Sequence, residues 1–319
     1  GKEGVSLLRH EAYHQGRPFI PEVRLAVAKP GNQVDVIELT APEAAAVAAD
    51  GDWKLVQRPD QGYQYLGLNQ QVPAFADRRV RQALLYAIDR QGLINQALQG
   101  YATVVNTHMT VGSWAYDPAV LEPYAYNPAR AVELLTEAGW KERDKDGYLM
   151  RNGKRLGFTL TFPEGNGARE RTATWIQANL KALGVKVNLQ PMPFGQVVKE
   201  VFGERRAEAW LLGWDVGPEP DPGPVFSPDN KWGLATGWTH DLSQQLLIEG
   251  RGRVVPSERK AVYTQWAKLV NEELPLLFLY AENQVEAYRA DRLHGVSPDA
   301  RGLRWNIWQW WIPKEKQGK

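Results

Sequence analysis

The sequence predicts a mixed α/β fold distributed over two domains, and three observations point there. Residues 156–189 read strand, loop, helix, strand, a βαβ unit that implies a parallel pair of strands under a covering helix. Upstream of it, amphipathic helices with their own capping residues alternate with short strand-like runs. The 319 residues, 43% hydrophobic and 24% charged, have globular composition and enough length for two domains of roughly 150 residues.

Taken in order, residues 5–8 and 34–39 alternate or run apolar like short strands, and 42–49 is an alanine-rich helix with Pro42 near its start. Residues 53–57 and 63–68 are two further strands, separated by Pro59-Asp60-Gln61-Gly62, a turn by composition. The period then changes. Val80, Leu84, Ala87 and Ile88 fall on one face of a helix, and Asp89 caps a second helix that carries Leu93 and Ala97 and stops at Gly100. Asn127 and Pro128 open another, with Ala131, Leu134, Leu135 and Ala138 as its apolar stripe and Gly139 as its end. In the βαβ unit, strands at 158–162 and 185–189 flank a helix over 171–183. A short strand at 209–212 leads into a long irregular stretch, 214–239, rich in proline. Two polar-faced helices follow, and the second, 257–271, turns Val262, Trp266, Leu269 and Val270 inward. Residues 276–280, 284–288 and 303–312 read as strands, and 314–319 as a frayed tail.

Several function classes fall away on composition. With 38 basic and 37 acidic residues there is no bulk charge to attract nucleic acid, and Arg78-Arg79-Arg81 and Arg205-Arg206 read as solvated helix faces. The longest apolar run, 274–280, is far below the roughly 20 residues of a membrane span. No cysteine is present, which removes disulfides, thiolate metal sites and a cysteine nucleophile. Thirteen tryptophans are a clear excess, and the chain begins at Gly1 with no signal-like apolar stretch.

Four motifs look like chemistry. His10-Glu11-Ala12-Tyr13-His14 matches the zinc-peptidase pattern, yet Gly16 and Pro18 stop any helix that would set both histidines on one face, so a loop with two exposed histidines is expected. The run from Glu142 to Gly147 imitates half a calcium loop, but the twelfth position is Gly153 where a bidentate Glu is needed, and an Asp146-Gly147 hairpin turn explains it. Gly165-Asn166-Gly167 sits where a dinucleotide fingerprint would, with Glu170 in place of its third glycine; it reads as a loop entering a helix. The fourth is the 214–239 stretch, which begins at the carboxyl end of a strand, where open α/β sheets place ligands. It offers Trp214, Asp215, Glu219, Asp221, Trp232 and Trp238. Aromatic faces beside carboxylates suit an organic ligand with apolar groups and a cationic end; the same tryptophans would equally pin a long surface loop.

Several segments together resemble one family, the family 5 extracellular solute-binding proteins that serve bacterial ABC importers of dipeptides and oligopeptides. They are Arg9 to His14 with Gly16-Arg17-Pro18; Tyr65-Leu66-Gly67-Leu68-Asn69 with Phe75, Asp77, Val80 to Leu84 and Ala87 to Arg90; Tyr126 to Ala131 through Ala138-Gly139-Trp140; and Gly213-Trp214 leading to Pro220-Asp221-Pro222. The resemblance is collinear over nearly the whole chain. It departs at Lys29-Pro30-Gly31, where 23–36 is shorter than in the family, and in length, since members run to roughly 500 residues.

The resemblance implies a periplasmic-binding-protein-like, two-lobed clamp of type II, cluster C-like, with the N-terminal part of the first lobe outside this chain. Residues 1–68 and 278–319 would be the remnant of that lobe, 69–277 the second lobe, and 63–69 with 276–280 the hinge. In peptide-binding members an Asp of the Gly-Trp loop takes the ligand's α-amino group. Here the third residue after Trp214 is Gly217, so the role could fall to Asp215, Glu219 or Asp221; Trp214 and Trp238 would line the cleft. The implied function is delivery of a small solute, a di- or oligopeptide, to the membrane subunits of an importer, outside the cytoplasm, as a monomer, without catalysis, metal or cofactor. Alternatives are a sugar or other solute, the ligand-sensing domain of a regulator, and a zinc peptidase through His10 and His14.

Overall fold

The computed structural model describes residues 4–27, 34–217, 219–229, 231–299 and 302–317, so the Lys29-Pro30-Gly31 departure lies outside the described residues. The chain divides into two compact units, Pro59–Glu282 and Gly1–Arg58 with Asn283–Lys319.

The unit Pro59–Glu282 is built on one sheet. Its order is Lys186–Met192, Gly157–Pro163, Ala209–Asp215, Gly62–Leu68 and then the first half of Leu276–Arg289, with Ala102–Val104 on that last strand. The predicted βαβ unit is there: Gly157–Pro163 runs parallel to Lys186–Met192 and also to Ala209–Asp215. The remaining pairs are antiparallel. The covering helix, Gly167–Leu183, starts where the Asn166 side chain accepts the Arg169 N–H, and stops at Gly184, whose φ of 99° suits a residue without Cβ.

Because side chains alternate across a strand, this sheet builds two cores. Leu66, Leu68, Leu211, Leu277 and Leu279 face one way and pack with helices Arg78–Tyr86, Pro128–Glu137 and Gly167–Leu183. Tyr63, Tyr65, Trp210, Leu212 and Phe278 face the other way and pack with Phe226, Trp238, Trp266 and helices Asp241–Gly252 and Pro256–Glu273. Both caps expected from the sequence are made: Asp89 accepts from the Gly92 N–H and Asn127 from the Arg130 N–H, and Asp77 adds a third by accepting from the Arg79 N–H.

The structure corrects the sequence reading in several places. The strand read as 209–212 runs to Asp215, because Gly62–Leu68 pairs with it residue for residue. The 214–239 stretch is not irregular throughout, since it contains short helices Gly223–Phe226 and Lys231–Thr236. The helix after Asp89 is one α-turn, Arg90–Gly92, that widens to a π-turn over Leu93–Ala97. Residues 276–280 and 284–288 are one strand, Leu276–Arg289. Arg81, read as solvated, is 1% exposed, with its guanidinium donating to the carbonyls of Phe75, Ala76, Glu273 and Leu274.

The unit Gly1–Arg58 with Asn283–Lys319 has less core. Among the described residues Val5–Leu8 pairs only with Glu22–Leu25, and the second half of Leu276–Arg289 pairs with Val36–Leu39. Its buried cluster is Tyr288, Leu293, Leu303 and Trp310. Residues 303–312 are not a strand. Leu303–Gln309 forms 3₁₀ turns, with buried Asn306 accepting from the Trp310 indole and donating to the Gly295 carbonyl. A second 3₁₀ turn, Lys314–Lys316, replaces the start of the expected frayed tail; the Lys316 ammonium reaches Asp291, and its carbonyl accepts from Arg292.

Candidate functional site

The site lies in the unit Pro59–Glu282, where the strand Ala209–Asp215 ends. Pairing sets Gly213 opposite Gln64, Trp214 opposite Tyr63 and Asp215 opposite Gly62. A Cβ on Gly213 would come within 2.8 Å of the Gln64 amide nitrogen, so the end of the Gln64 side chain lies directly over this glycine. Gln64 in turn accepts a long hydrogen bond, 3.3 Å, from Arg169 at the start of the covering helix.

Trp214 stands over an open groove of about 300 Å³. Its ring meets Trp232 edge-on at 5.3 Å between centroids, and Trp232 meets Phe202 at 4.1 Å. The far wall comes from Phe194 and Val198, and Asp215 is the charged residue on the rim. Phe194, Val198 and Phe202 follow one another at intervals of four, so the short helix Phe194–Val198 and the π-turn Lys199–Gly203 turn one apolar face to the groove. Sequence reasoning missed these three. Their i, i+4, i+8 spacing after Pro193 was the available signal. Beneath the groove Tyr65, Trp210, Trp214, Phe226, Trp232 and Trp238 form a packed aromatic layer whose residual void, about 10 Å³, is too small to admit more than one water.

The five residues singled out from the sequence fall in different places. Trp214 and Asp215 are adjacent on the groove. Asp215 is exposed; its carboxylate accepts the Gly217 N–H, and among the described residues no cation pairs with it. Glu219 is held by both terminal nitrogens of Arg259 at 2.7 and 3.0 Å. Asp221 accepts from Arg251 at 2.8 Å and from the Gly223 N–H at 3.0 Å. Trp238 is buried against Phe226 and stacks on His240. The loop's two other carboxylates thus anchor it to the helices Asp241–Gly252 and Pro256–Glu273, and Asp215 is left facing solvent.

A buried polar pair supports this region. His108 is 1% exposed, its Nδ1 lies 2.9 Å from the Tyr63 hydroxyl, and its ring packs edge-on against Phe226 and Trp266. Burial lowers its pKa to about 3, against a weaker pull upward from Asp221, so the imidazole is neutral at physiological pH. Burial also pushes the Tyr65 hydroxyl up to about 12. The site therefore holds neutral aromatics around one carboxylate, that of Asp215.

The other motifs take ordinary structural roles. His10 and His14 are exposed and lie in turns, and Glu11 pairs with Arg9 and Arg17. In a three-stranded antiparallel sheet over 142–155, Asp144 closes the turn between Glu142–Arg143 and Leu149–Arg151 through the Asp146 and Tyr148 N–H groups, and Arg155 pairs with Asp144 and Asp146. Glu170 folds back onto the Gly165 N–H. Among the described residues no group of three His, Asp or Glu converges as a metal ion would require, and no helix is long and apolar enough to cross a membrane.

Comparison with known proteins agrees with this picture. The profile of the bacterial extracellular solute-binding proteins, family 5 Middle, matches residues 3–233. The oligopeptide-binding protein AppA of Bacillus subtilis is 29% identical over 325 residues, covering 97% of this chain and 59% of its own. The glutathione-binding protein GsiB of Salmonella typhimurium is 28% identical over 276 residues, covering 83% of this chain and 51% of its own. Among solved structures, Bacillus subtilis AppA in complex with a nonapeptide superposes with a TM-score of 0.72 at 26% identity, covering 98% of this chain and 64% of that one. HbpA2 from Haemophilus parasuis gives 0.84 at 21% identity, covering 98% and 62%, a likeness of fold. The chain spans between half and two thirds of the length of these relatives.

Proposed function

We propose that this chain, which belongs to the bacterial extracellular solute-binding proteins of family 5, binds a di- or oligopeptide by its free amine and presents it to an ABC importer. The observation that carries this reading is Asp215: of the three carboxylates in the Gly213-Trp214 loop it alone has no arginine partner among the described residues, and it stands on an apolar groove. A free carboxylate beside aromatic faces takes a primary ammonium through charge-assisted hydrogen bonds while the faces cover the carbon skeleton. Trp214 and Asp215 make the direct contacts. Glu219 and Asp221 hold the loop, and Trp238 backs the aromatic layer.

On this reading residues 69–277 act as one lobe of a clamp, 1–68 and 278–319 belong to the other, and 63–69 with 276–280 form the hinge. Closure is driven by the ligand's extra affinity for the closed state. The protein works outside the cytoplasm as a monomer, and no bond is made or broken. The names of two relatives, an oligopeptide binder and a glutathione binder, support a peptide ligand.

Native mass spectrometry of the purified protein, followed by calorimetry with the ligand it carries, tests this. A peptide is expected, and Asp215→Asn should weaken it by about 10- to 100-fold, the worth of a hydrogen bond to a charged group. A bound saccharide, or a peptide affinity that depends on Asp221 and ignores Asp215, would overturn the assignment.

A further inference from the structure

We propose that the groove beside Asp215 reads the first side chain of the peptide and selects a large apolar or aromatic one. This rests on the reading of Asp215 as the amine anchor. In a peptide the α-amino group and the first side chain hang on the same Cα, so the group that binds one must adjoin the pocket that takes the other. Asp215 and Trp214 are neighbours in sequence, and both lie on the groove. A second or third side chain would sit roughly 3.3 Å further along an extended ligand for each residue.

The groove's chemistry sets the preference. Its walls are Phe194, Val198, Phe202, Leu212, Trp214 and Trp232, and none of these offers a charge. At about 300 Å³ it lies at the lower end of the range for small-molecule pockets, the scale of one large side chain and its surroundings. Phe194 is 62% exposed, a large apolar side chain held in solvent on a helix whose Val197 is buried, so a ligand group laid against it would remove that surface from water. An aspartyl or glutamyl side chain in the same place would shed its hydration without a partner and would face Asp215. A glycine would leave the groove wet.

Calorimetry with tripeptides X-Ala-Ala, where X is Phe, Leu, Gly or Glu, tests this on the intact protein, with N-acetyl-Phe-Ala-Ala as the amine control. Phe- and Leu-first peptides are expected to bind at least about tenfold tighter than the Gly-first peptide, since even one methylene in an apolar pocket is worth that much. Phe194→Ser should reduce the Phe-to-Gly affinity ratio to about threefold or less. Val198→Phe, which fills the groove, should invert the ratio, with thermal midpoints recorded for both variants. Equal affinity for Phe- and Gly-first peptides, or a ratio that survives both substitutions, would refute the groove assignment and leave peptide binding itself intact. If none of the tripeptides binds, the peptide reading and the groove assignment fall together; if the acetylated peptide binds as tightly as the free one, the amine anchor falls.

Discussion

Arg90 is a buried guanidinium whose partners are peptide carbonyls. It donates to those of Val105, Pro123, Tyr124 and Phe278, at 2.6 to 3.1 Å. Burial draws its pKa down to about 10, still far above neutrality, so it remains a cation. The planar fork satisfies four acceptors from three parts of the chain at once. Arg90→Met should cost about 3 kcal/mol or more in denaturant unfolding, because it leaves buried carbonyls unpaired, and Arg90→Lys should recover little of it, since an ammonium cannot reproduce the fork. His108 gives a pH prediction at the same scale. Its folded pKa of about 3 lies below the unfolded value near 6.5, so between these limits the unfolded chain binds the extra proton. Its contribution is complete above about pH 6.5 and is lost as pH falls towards 3, with a slope of up to about 1.4 kcal/mol per pH unit. Stability curves from pH 7 to 4 should show this slope, and His108→Gln should flatten it. An unchanged slope would mean that other groups set the acid limit. Neither residue was legible as such: a lone His or Arg in a sequence carries no mark of burial, which arises only when distant segments close over it.

At the scale of elements, the helices were legible where their ends are local. Asn127, Asn166, Asp77 and Asp89 all cap as side chains a few residues from the N–H groups they serve. The strand Ala209–Asp215 was read three residues short because its last part is held by Gly62–Leu68, about 150 residues away, and has little apolar alternation of its own. That pairing has a close approach at its centre, where Gly67 faces Trp210 and a Cβ on Gly67 would come within 2.1 Å of the indole. Gly67→Ala should therefore destabilise by about 1–3 kcal/mol, readable as a drop in thermal midpoint. Residues 303–312 misled in the opposite direction. Trp305, Trp308, Trp310 and Trp311 look like strand residues, but the buried amide of Asn306 bonds to Gly295, Gln309 and Trp310 and stabilises turns. Of the candidate site, the loop's position after a strand pointed to Trp214 and Asp215, but equally to Glu219, Asp221 and Trp238. The Phe194 wall was not singled out, since a five-residue helix has too little length for its stripe to stand out.

At the scale of the whole molecule, the two units hold very different amounts of core. In Pro59–Glu282 a central sheet is covered on both faces by large apolar clusters. In the other unit the ribbon of Val5–Leu8 and Glu22–Leu25 leaves Val5, Leu7, Leu8 and Leu25 exposed. Native-state hydrogen exchange should find the ribbon amides opening at close to zero free energy, with those of Gly62–Leu68 near the global value. Comparable protection in both would contradict the packing described above.

The sequence by itself determined the α/β class, most helices and their ends, the parallel βαβ unit and the family to which the chain belongs. These rest on periodicity, caps and turn residues, which act over a few positions. Only the tertiary structure decided which loop carboxylate is free. Arg259 and Arg251 reach Glu219 and Asp221 from 40 and 30 residues away, and a pairing at that separation depends on how helices pack. The same closure turned Phe194, Val198 and Phe202 towards Trp214 and made a groove from residues that share no local pattern with it.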